Sequence, residues 1–187
     1  MPFIAVEGIG APQGAEYQAA LSALYALSFT IKMSKMRPEA QIEGYFEYVV
    51  PPLEGLWWTD ESGLDLKKPR EQWRWISLIR QPDFVTEEVF CWAKAQCQAK
   101  KPEIDVSKAY YWEFEEGLCV QALHIGPYSQ EQASIDPMLA YAHAQGYEDV
   151  SSDVRKHHEI YLSDPRKTAP DRLKTVLRLP IEKKVEA

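Results

Sequence analysis

The fold is indicated most clearly by residues 118–146, LCVQALHIGPYSQEQASIDPMLAYAHAQG. An apolar run that ends in a Gly-Pro pair predicts a strand followed by a tight turn. Apolar residues then recur at helical spacing over residues 134–145. Pro137 is tolerated in that helix because it falls in the first turn, and Gly146 is suited to close the helix as its C-cap. The stretch therefore predicts a strand–turn–helix unit.

The same order of elements occurs earlier in the chain, where a strand and a glycine-rich loop precede a helix. The predicted elements are a strand at 3–7, a helix at 16–31 and strands at 44–50 and 70–80, then strands at 109–114 and 118–125, a helix at 134–145 and strands at 157–162 and 174–179. A repeated element order of this kind indicates an internal duplication. We therefore predict an α+β fold built from a tandem strand–helix–strand–strand duplication, with helices on one face of an antiparallel sheet and a ligand cleft on the other.

The predicted domain organisation is a single domain over residues 1–187, with pseudo-repeat halves at about 1–84 and 108–187. Thr86 is a good helix cap and is followed by two glutamates in the first turn. This pattern predicts a connector helix at about 86–101 that joins the halves.

Composition and charge exclude several classes of partner. The net charge is −7 without a basic cluster, which disfavours a nucleic-acid partner. Because no apolar run approaches the roughly 20 residues of a membrane span, no membrane association is expected. The N-terminus has no signal-peptide pattern, and the three cysteines cannot all pair. We expect a cytoplasmic protein with reduced thiols that is a monomer or a weak dimer.

The aromatic residues are unusually concentrated in short bursts, and there are 6 Trp, 10 Tyr and 6 Phe. Successive strand residues point to opposite faces, so a pair such as Trp57-Trp58 cannot lie wholly against one core. On the strand at 157–162, alternation assigns Ile160 and Leu162 to the helix side together with His158. It assigns His157, Glu159 and Tyr161 to the opposite side, which would be the ligand cleft.

Two other strands divide in the same way. On the strand at 109–114, alternation separates Tyr110, Trp112 and Phe114 from Tyr111 and Glu113. On the strand at 70–80, it places Ile76 and Leu78 on the core side, with Trp73 and Trp75 opposite. A sheet face with rings and a carboxylate is typical of a ligand surface. A carboxylate among rings is poorly solvated, so its pKa should rise, which suits a general acid or base.

Four blocks resemble the GyrI-like small-molecule-binding family: PLEGLWW at 52–58, LIRQPDFV at 78–85, EGLCVQALHIGPY at 116–128 and HEIYLSDPRKTAP at 158–170. The resemblance implies two tandem modules with a ligand cleft between them. Relatives include effector-binding domains of multidrug-responsive transcription activators, a DNA gyrase inhibitor, and stand-alone hydrolases that open the cyclopropane ring of DNA-alkylating natural products. In the effector-binding relatives a buried Glu among aromatic side chains holds flat ligands, and Glu159 lies in the matching block.

From the residues and this resemblance we expect binding of planar aromatic compounds and hydrolysis of strained, cyclopropane-bearing electrophiles for self-protection. Glu159 would activate water, and Tyr161, with Tyr111 as the other candidate, would polarise the ligand carbonyl. The predicted ligand-binding residues are Trp57, Trp75, Tyr110, Tyr111, Trp112 and His157. No cofactor is expected. No metal is expected either, because the adjacent His157 and His158 point to opposite faces of a strand.

Two other functions remain open at this stage. One is a non-catalytic multidrug-type binder that sequesters or senses planar compounds, in which Glu159 would be the counter-ion of a cation. The other is a gyrase-inhibitor-like interaction module that uses an acidic surface. The absence of a basic helix-turn-helix region argues against a complete transcription regulator, but it does not separate an enzyme from a binder.

Overall fold

The computed structural model describes residues 1–36 and 41–184. These residues form eight strands and three α-helices, interspersed along the chain, which confirms the predicted α+β class. The chain divides into two compact units, Met1–Leu53 with Arg74–Glu115 and Glu54–Trp73 with Glu116–Ala187. No helix among the described residues has the length and apolar character that a membrane crossing requires.

The first unit contains three strands and two helices. Its elements are β1 (Pro2–Ile9), α1 (Ala15–Lys32), β3 (Arg74–Arg80), α2 (Glu87–Lys100) and β4 (Tyr110–Glu113). The strands pair antiparallel, with β1 between β3 and β4. Helix α2 begins where the sequence predicted, because the Val89 backbone N–H donates to the Thr86 hydroxyl group at 3.4 Å.

Helix α1 packs on the face of β3 that carries Trp75. The Trp75 ring meets the Tyr17 ring edge-on at 5.0 Å, and Gln81, which extends the same face, donates from Nε2 to Ser28 Oγ at 3.0 Å. Ile76 and Leu78, predicted on the core side, are buried, but the prediction that Trp75 lies away from the helix-covered core is wrong. The reason lies on β1, where Gly8 is the cross-strand partner of Trp75 and has no side chain to obstruct the indole.

The second unit contains β2 (Leu53–Trp58, of which Leu53 belongs to the first unit), β5 (Cys119–Ile125), α3 (Gln132–Ala144), β6 (Tyr147–Asp149), β7 (His157–Tyr161) and β8 (Lys174–Lys183). Antiparallel pairing gives the order β2–β7–β8–β5, and β6 also pairs with β8. Its core forms where Ile135 and Met138 of α3 pack against Leu177 and Leu179 of β8.

The register of β7 with β8 determines which face of β7 lies towards α3. Glu159 is the cross-strand partner of Leu177, and directly opposed strand residues project to the same side. Because Leu177 contacts α3, Glu159 and its same-face neighbour His157 lie on the α3 side of the sheet. The prediction that these side chains occupy the helix-free face, with Ile160 and Leu162 against the helices, is wrong; Leu162 is exposed.

Two predicted strands also differ in position. No strand forms at 44–50; Tyr45, Phe46 and Tyr48 instead contact Phe84 in an aromatic cluster of the first unit. Strand β2 begins only after the Pro-Pro pair. The strand predicted at 70–80 begins at Arg74, because a short 3-10 turn precedes it.

Candidate functional site

Strand β7 brings two of the predicted site residues together. His157 and Glu159 point to the same face, as alternation predicted, and His157 Nε2 lies 3.2 Å from Glu159 Oε1. Both residues are buried, with 3% and 7% of their surface exposed. A carboxylate so enclosed needs hydrogen-bond donors, and the imidazole supplies one.

A third titratable residue, Glu131, comes from the segment directly before α3. It is 4% exposed, and its carboxyl oxygen, His157 and Glu159 offer atoms that all lie within 4.8 Å of one another. Glu131 Oε1 is buried and has no hydrogen-bond partner among the described residues. Burial, and then the negative charge of Glu159, raises the pKa of Glu131 to about 9. Glu131 is therefore a protonated acid at neutral pH.

Glu131 was not among the site residues predicted from the sequence. The helix was predicted only from residue 134, so Glu131 fell in a loop between a turn and that helix. The usable signal is an acid at the start of a helix, but that pattern is also common where a carboxylate only stabilises the helix N-terminus. Recognising that Glu131 and Glu159 form a pair would have required knowledge that α3 begins beside β7.

Aromatic rings adjoin this acidic cluster. Trp57 Nε1 donates to the Tyr161 hydroxyl oxygen at 2.9 Å, and the Tyr128 ring meets the Tyr161 ring edge-on at 6.0 Å. Burial, followed by the charges of Glu159 and Glu131, raises the pKa of Tyr128 to about 12, so the phenol keeps its proton. Tyr128 belongs to a quoted sequence block but was not among the predicted site residues.

Gly55 makes the close approach of Trp57 and Tyr161 possible. It is the cross-strand partner of Glu159. A Cβ atom at this position would lie 2.6 Å from Trp57 Nε1 and 2.9 Å from the Tyr161 hydroxyl oxygen. Both distances are shorter than van der Waals contact, so only glycine accommodates this pair of side chains opposite Glu159.

A cavity of about 310 Å³ in the second unit reaches Glu131 and His157. Its apolar lining comes from Leu64, Leu66, Ile135, Leu139 and Leu179, and its charged lining includes Asp65, Lys67 and Asp149. This volume is at the small end of the roughly 300–1,000 Å³ that ligand pockets occupy. The cavity places an apolar surface beside a protonated carboxyl group and an imidazole.

The opposite face of β7 carries a separate ionic network around His158. Its Nδ1 lies 2.8 Å from Glu116 Oε1 and its Nε2 lies 2.9 Å from Glu54 Oε2. Arg178 Nη1 donates to the other oxygen of Glu116 at 2.8 Å. Burial alone would lower the pKa of His158, but the two carboxylates outweigh it and raise that pKa. This shift favours the charged form of His158, so His158 is a charged bridge between the buried Glu54 and the partly buried Glu116.

The two adjacent histidines therefore face opposite sides, as predicted, and cannot hold one ion together. His157 instead joins two carboxyl groups, one of them from a distant segment. One ring nitrogen and two carboxylate oxygens at this spacing are within reach of either a shared proton or a single divalent cation. This set of three residues was not predicted from the sequence, where only the adjacent histidines were tested as metal ligands.

The other predicted ligand-binding residues lie in the first unit. Trp75 is fully buried against Tyr17, a core position that corrects its assignment to a ligand surface. Tyr110 and Trp112 share one face and are half-buried, and burial, followed by the charge of Glu7, raises the pKa of Tyr110 to about 12. Tyr111 lies on the opposite face.

Tyr111 contacts Phe90 of α2 and donates from its hydroxyl group to Glu113 at 3.3 Å. The predicted division of this strand into two faces is confirmed. Because the division separates Tyr111 from Tyr110 and Trp112, these three side chains cannot line one surface. Their ligand-binding roles stay predictions.

Comparison with known proteins gives concordant results. The sequence profile of the GyrI-like small molecule binding domain matches residues 1–182. A crystal structure described as that of a hydrolase from Listeria innocua is 48% identical, with a TM-score of 0.89 over 97% of this chain and 87% of that one. An uncharacterized conserved protein from Listeria innocua is 50% identical, with a TM-score of 0.91 over 97% and 88% of the two chains.

A more distant structure shares the fold alone. The C-terminal domain of EcmrR is 13% identical, with a TM-score of 0.55 over 98% of this chain and 92% of that domain. No curated protein sequence matches the chain.

Proposed function

Because the chain belongs to the GyrI-like small-molecule-binding family, we propose that it binds planar aromatic compounds and hydrolyses those that carry a strained cyclopropane ring. The reaction would protect the cell from electrophiles that alkylate DNA. We also propose that the protein is cytoplasmic, because such compounds must be intercepted there before they reach DNA. We propose that it is a monomer or a weak dimer.

The observation that carries this proposal is the buried Glu159 carboxylate beside His157, with rings on one side and an apolar cavity nearby. A carboxylate held by an imidazole in a water-poor site is a suitable base for a single water molecule. A protein of known structure that is described as a hydrolase and is 48% identical to this chain supports an enzymatic function. Binding alone would not require a base supported in this way.

The chemistry can be written with Glu159 and Tyr161 in the roles expected from the sequence. Water attacks a methylene carbon of the cyclopropane, a C–O bond forms, and the C–C bond that joins this carbon to the ring system breaks. The electron pair moves through the conjugated ring to a carbonyl oxygen, and the water proton passes to Glu159. The Tyr161 hydroxyl group, oriented by the Trp57 N–H at 2.9 Å, stabilises that oxygen.

The second candidate function is a multidrug-type binder without turnover. The proximity of two carboxyl groups, Glu131 and Glu159, to aromatic rings favours it, since such a site also suits a flat cation. In that case the bound compound would be recovered unchanged. Among the described residues, no surface feature supports the gyrase-inhibitor-like alternative.

The test is incubation of the purified chain with an alkylating agent whose cyclopropane is conjugated to a dienone. The expected product is heavier by one water molecule, and it carries heavy oxygen when the reaction runs in ¹⁸O-labelled water. Glu148→Gln, at an exposed position of β6, is the matched control and should react like the wild type. Recovery of intact agent after binding would reject hydrolysis in favour of the binder.

A further inference from the structure

Glu131 and Glu159 form a pair of buried carboxyl groups with unequal surroundings. Glu159 Oε1 lies within hydrogen-bond distance of His157 Nε2, at 3.2 Å. Glu131 Oε1 has no partner among residues 1–36 and 41–184, so no hydrogen-bond donor supports a charge on that oxygen. Two carboxylates cannot both ionise at close range in a buried site. The proton shared by the pair therefore belongs to Glu131.

We propose that Glu131 is a catalytic general acid: it delivers its proton to the ligand oxygen that becomes negative when the strained ring opens. This role rests on the proposed function and adds to it the source of that proton. Glu131 also lines the cavity of about 310 Å³ in the second unit, which gives it access to a bound ligand. Two carboxyl groups with different environments are a general way to obtain an acid and a base in one site.

The proton balance closes within the pair. The attacking water gives one proton to Glu159, and Glu131 gives one proton to the ligand oxygen. Glu159 then holds a proton and Glu131 is ionised. Transfer from Glu159 to Glu131, directly or through the His157 ring, restores the starting state, since the three groups lie within 4.8 Å of one another. The cycle consumes one water molecule and needs no other reactant.

Other titratable groups face Glu131 from each element around it. Its own segment contributes Tyr128, which keeps its proton because burial raises its pKa to about 12. The cavity lining and β7 contribute His157, Glu159, Asp65, Lys67 and Asp149. Within this set it is the charge of Glu159 that, after burial, raises the pKa of Glu131.

The kinetic test compares the pH dependence of turnover in the wild type, Glu131→Gln and Glu148→Gln. We expect wild-type turnover to fall above about pH 9, as the acid loses its proton. Glu131→Gln should be slower by about 10²- to 10⁴-fold at neutral pH, the usual contribution of a general acid, and should lack this alkaline fall. Glu148→Gln should follow the wild type.

A spectroscopic test does not depend on turnover. In the wild type labelled with ¹³C at glutamate carboxyl carbons, one resonance should titrate near pH 9 and be absent in Glu131→Gln. Absence of such a resonance would overturn the assignment of the proton, whether or not the variant folds. Elemental analysis that found one divalent metal per chain, lost in Glu131→Gln, would also overturn it.

The outcomes separate the two proposals. If the wild type opens the ring but Glu131→Gln retains both its rate and the alkaline fall, the general-acid role is wrong and the hydrolase proposal stands. If the wild type opens no ring, the hydrolase proposal fails and the catalytic role of Glu131 fails with it.

Discussion

Gly55→Ala tests the packing that holds the aromatic part of the site together. The new Cβ would lie 2.6 Å from Trp57 Nε1, whereas non-bonded carbon contacts are favourable only beyond about 3.5 Å. The indole must therefore move by about 1 Å. Trp57 is only 2% exposed and meets Trp73 edge-on, so little room exists. The movement also breaks its 2.9 Å hydrogen bond to Tyr161.

The expected cost can be assembled from these parts. Overpacking a buried site costs about 1–3 kcal/mol, and the lost hydrogen bond about 1 kcal/mol. Replacing glycine in a strand returns about 0.5–1 kcal/mol, so the free energy of unfolding should fall by about 2 kcal/mol. Urea unfolding followed by circular dichroism measures this change.

A double-mutant cycle provides the control for Gly55→Ala. Trp57→Phe removes the indole nitrogen that the new methyl group would contact. In that background Gly55→Ala should cost about 1 kcal/mol less than in the wild type. If Gly55→Ala alone changes the free energy of unfolding by less than about 0.5 kcal/mol, the close approach described here is incorrect.

Two further predictions concern pH. Because the pKa of Glu131 rises on folding from 4.5 to about 9, the folded state binds one proton more than the unfolded state between these values. The free energy of unfolding should fall by about 1.4 kcal/mol per pH unit across that range, and Glu131→Gln should remove this slope in urea unfolding at a series of pH values. The raised pKa of His158 contributes to the free energy of unfolding. This contribution is complete below pH 6.5, the ordinary pKa of the imidazole, and is lost as the pH rises through the pKa of His158 in the folded state. His158→Phe should abolish this loss and, by leaving Glu54 and Glu116 without the imidazolium, cost about 3–5 kcal/mol; an unchanged pH dependence would contradict the charged bridge.

The local features of this protein could be predicted from the sequence. The alternation of β7 correctly grouped His157 with Glu159, because the two-residue period of a strand is a property of its own backbone. The cap at Thr86 and the α+β class followed from equally local patterns. The division of Tyr110 and Trp112 from Tyr111 was predicted for the same reason.

The remaining features depend on contacts between distant segments. Which face of β7 lies towards α3 is decided by its register with β8, and alternation cannot distinguish the two faces. Trp75 fits against Tyr17 only because Gly8 lies opposite it on another strand. Glu131 approaches Glu159 through the packing of α3, so neither residue alone indicates the pair.

The central claim is that Glu159 activates water in a buried, ring-walled site. Turnover and binding of a cyclopropane-bearing dienone by Glu159→Gln, compared with Glu148→Gln, test it most directly. We predict that Glu159→Gln binds the compound within a few-fold of the wild type and opens its ring about 10²- to 10⁴-fold more slowly. Ring opening by Glu159→Gln at the wild-type rate would contradict the claim.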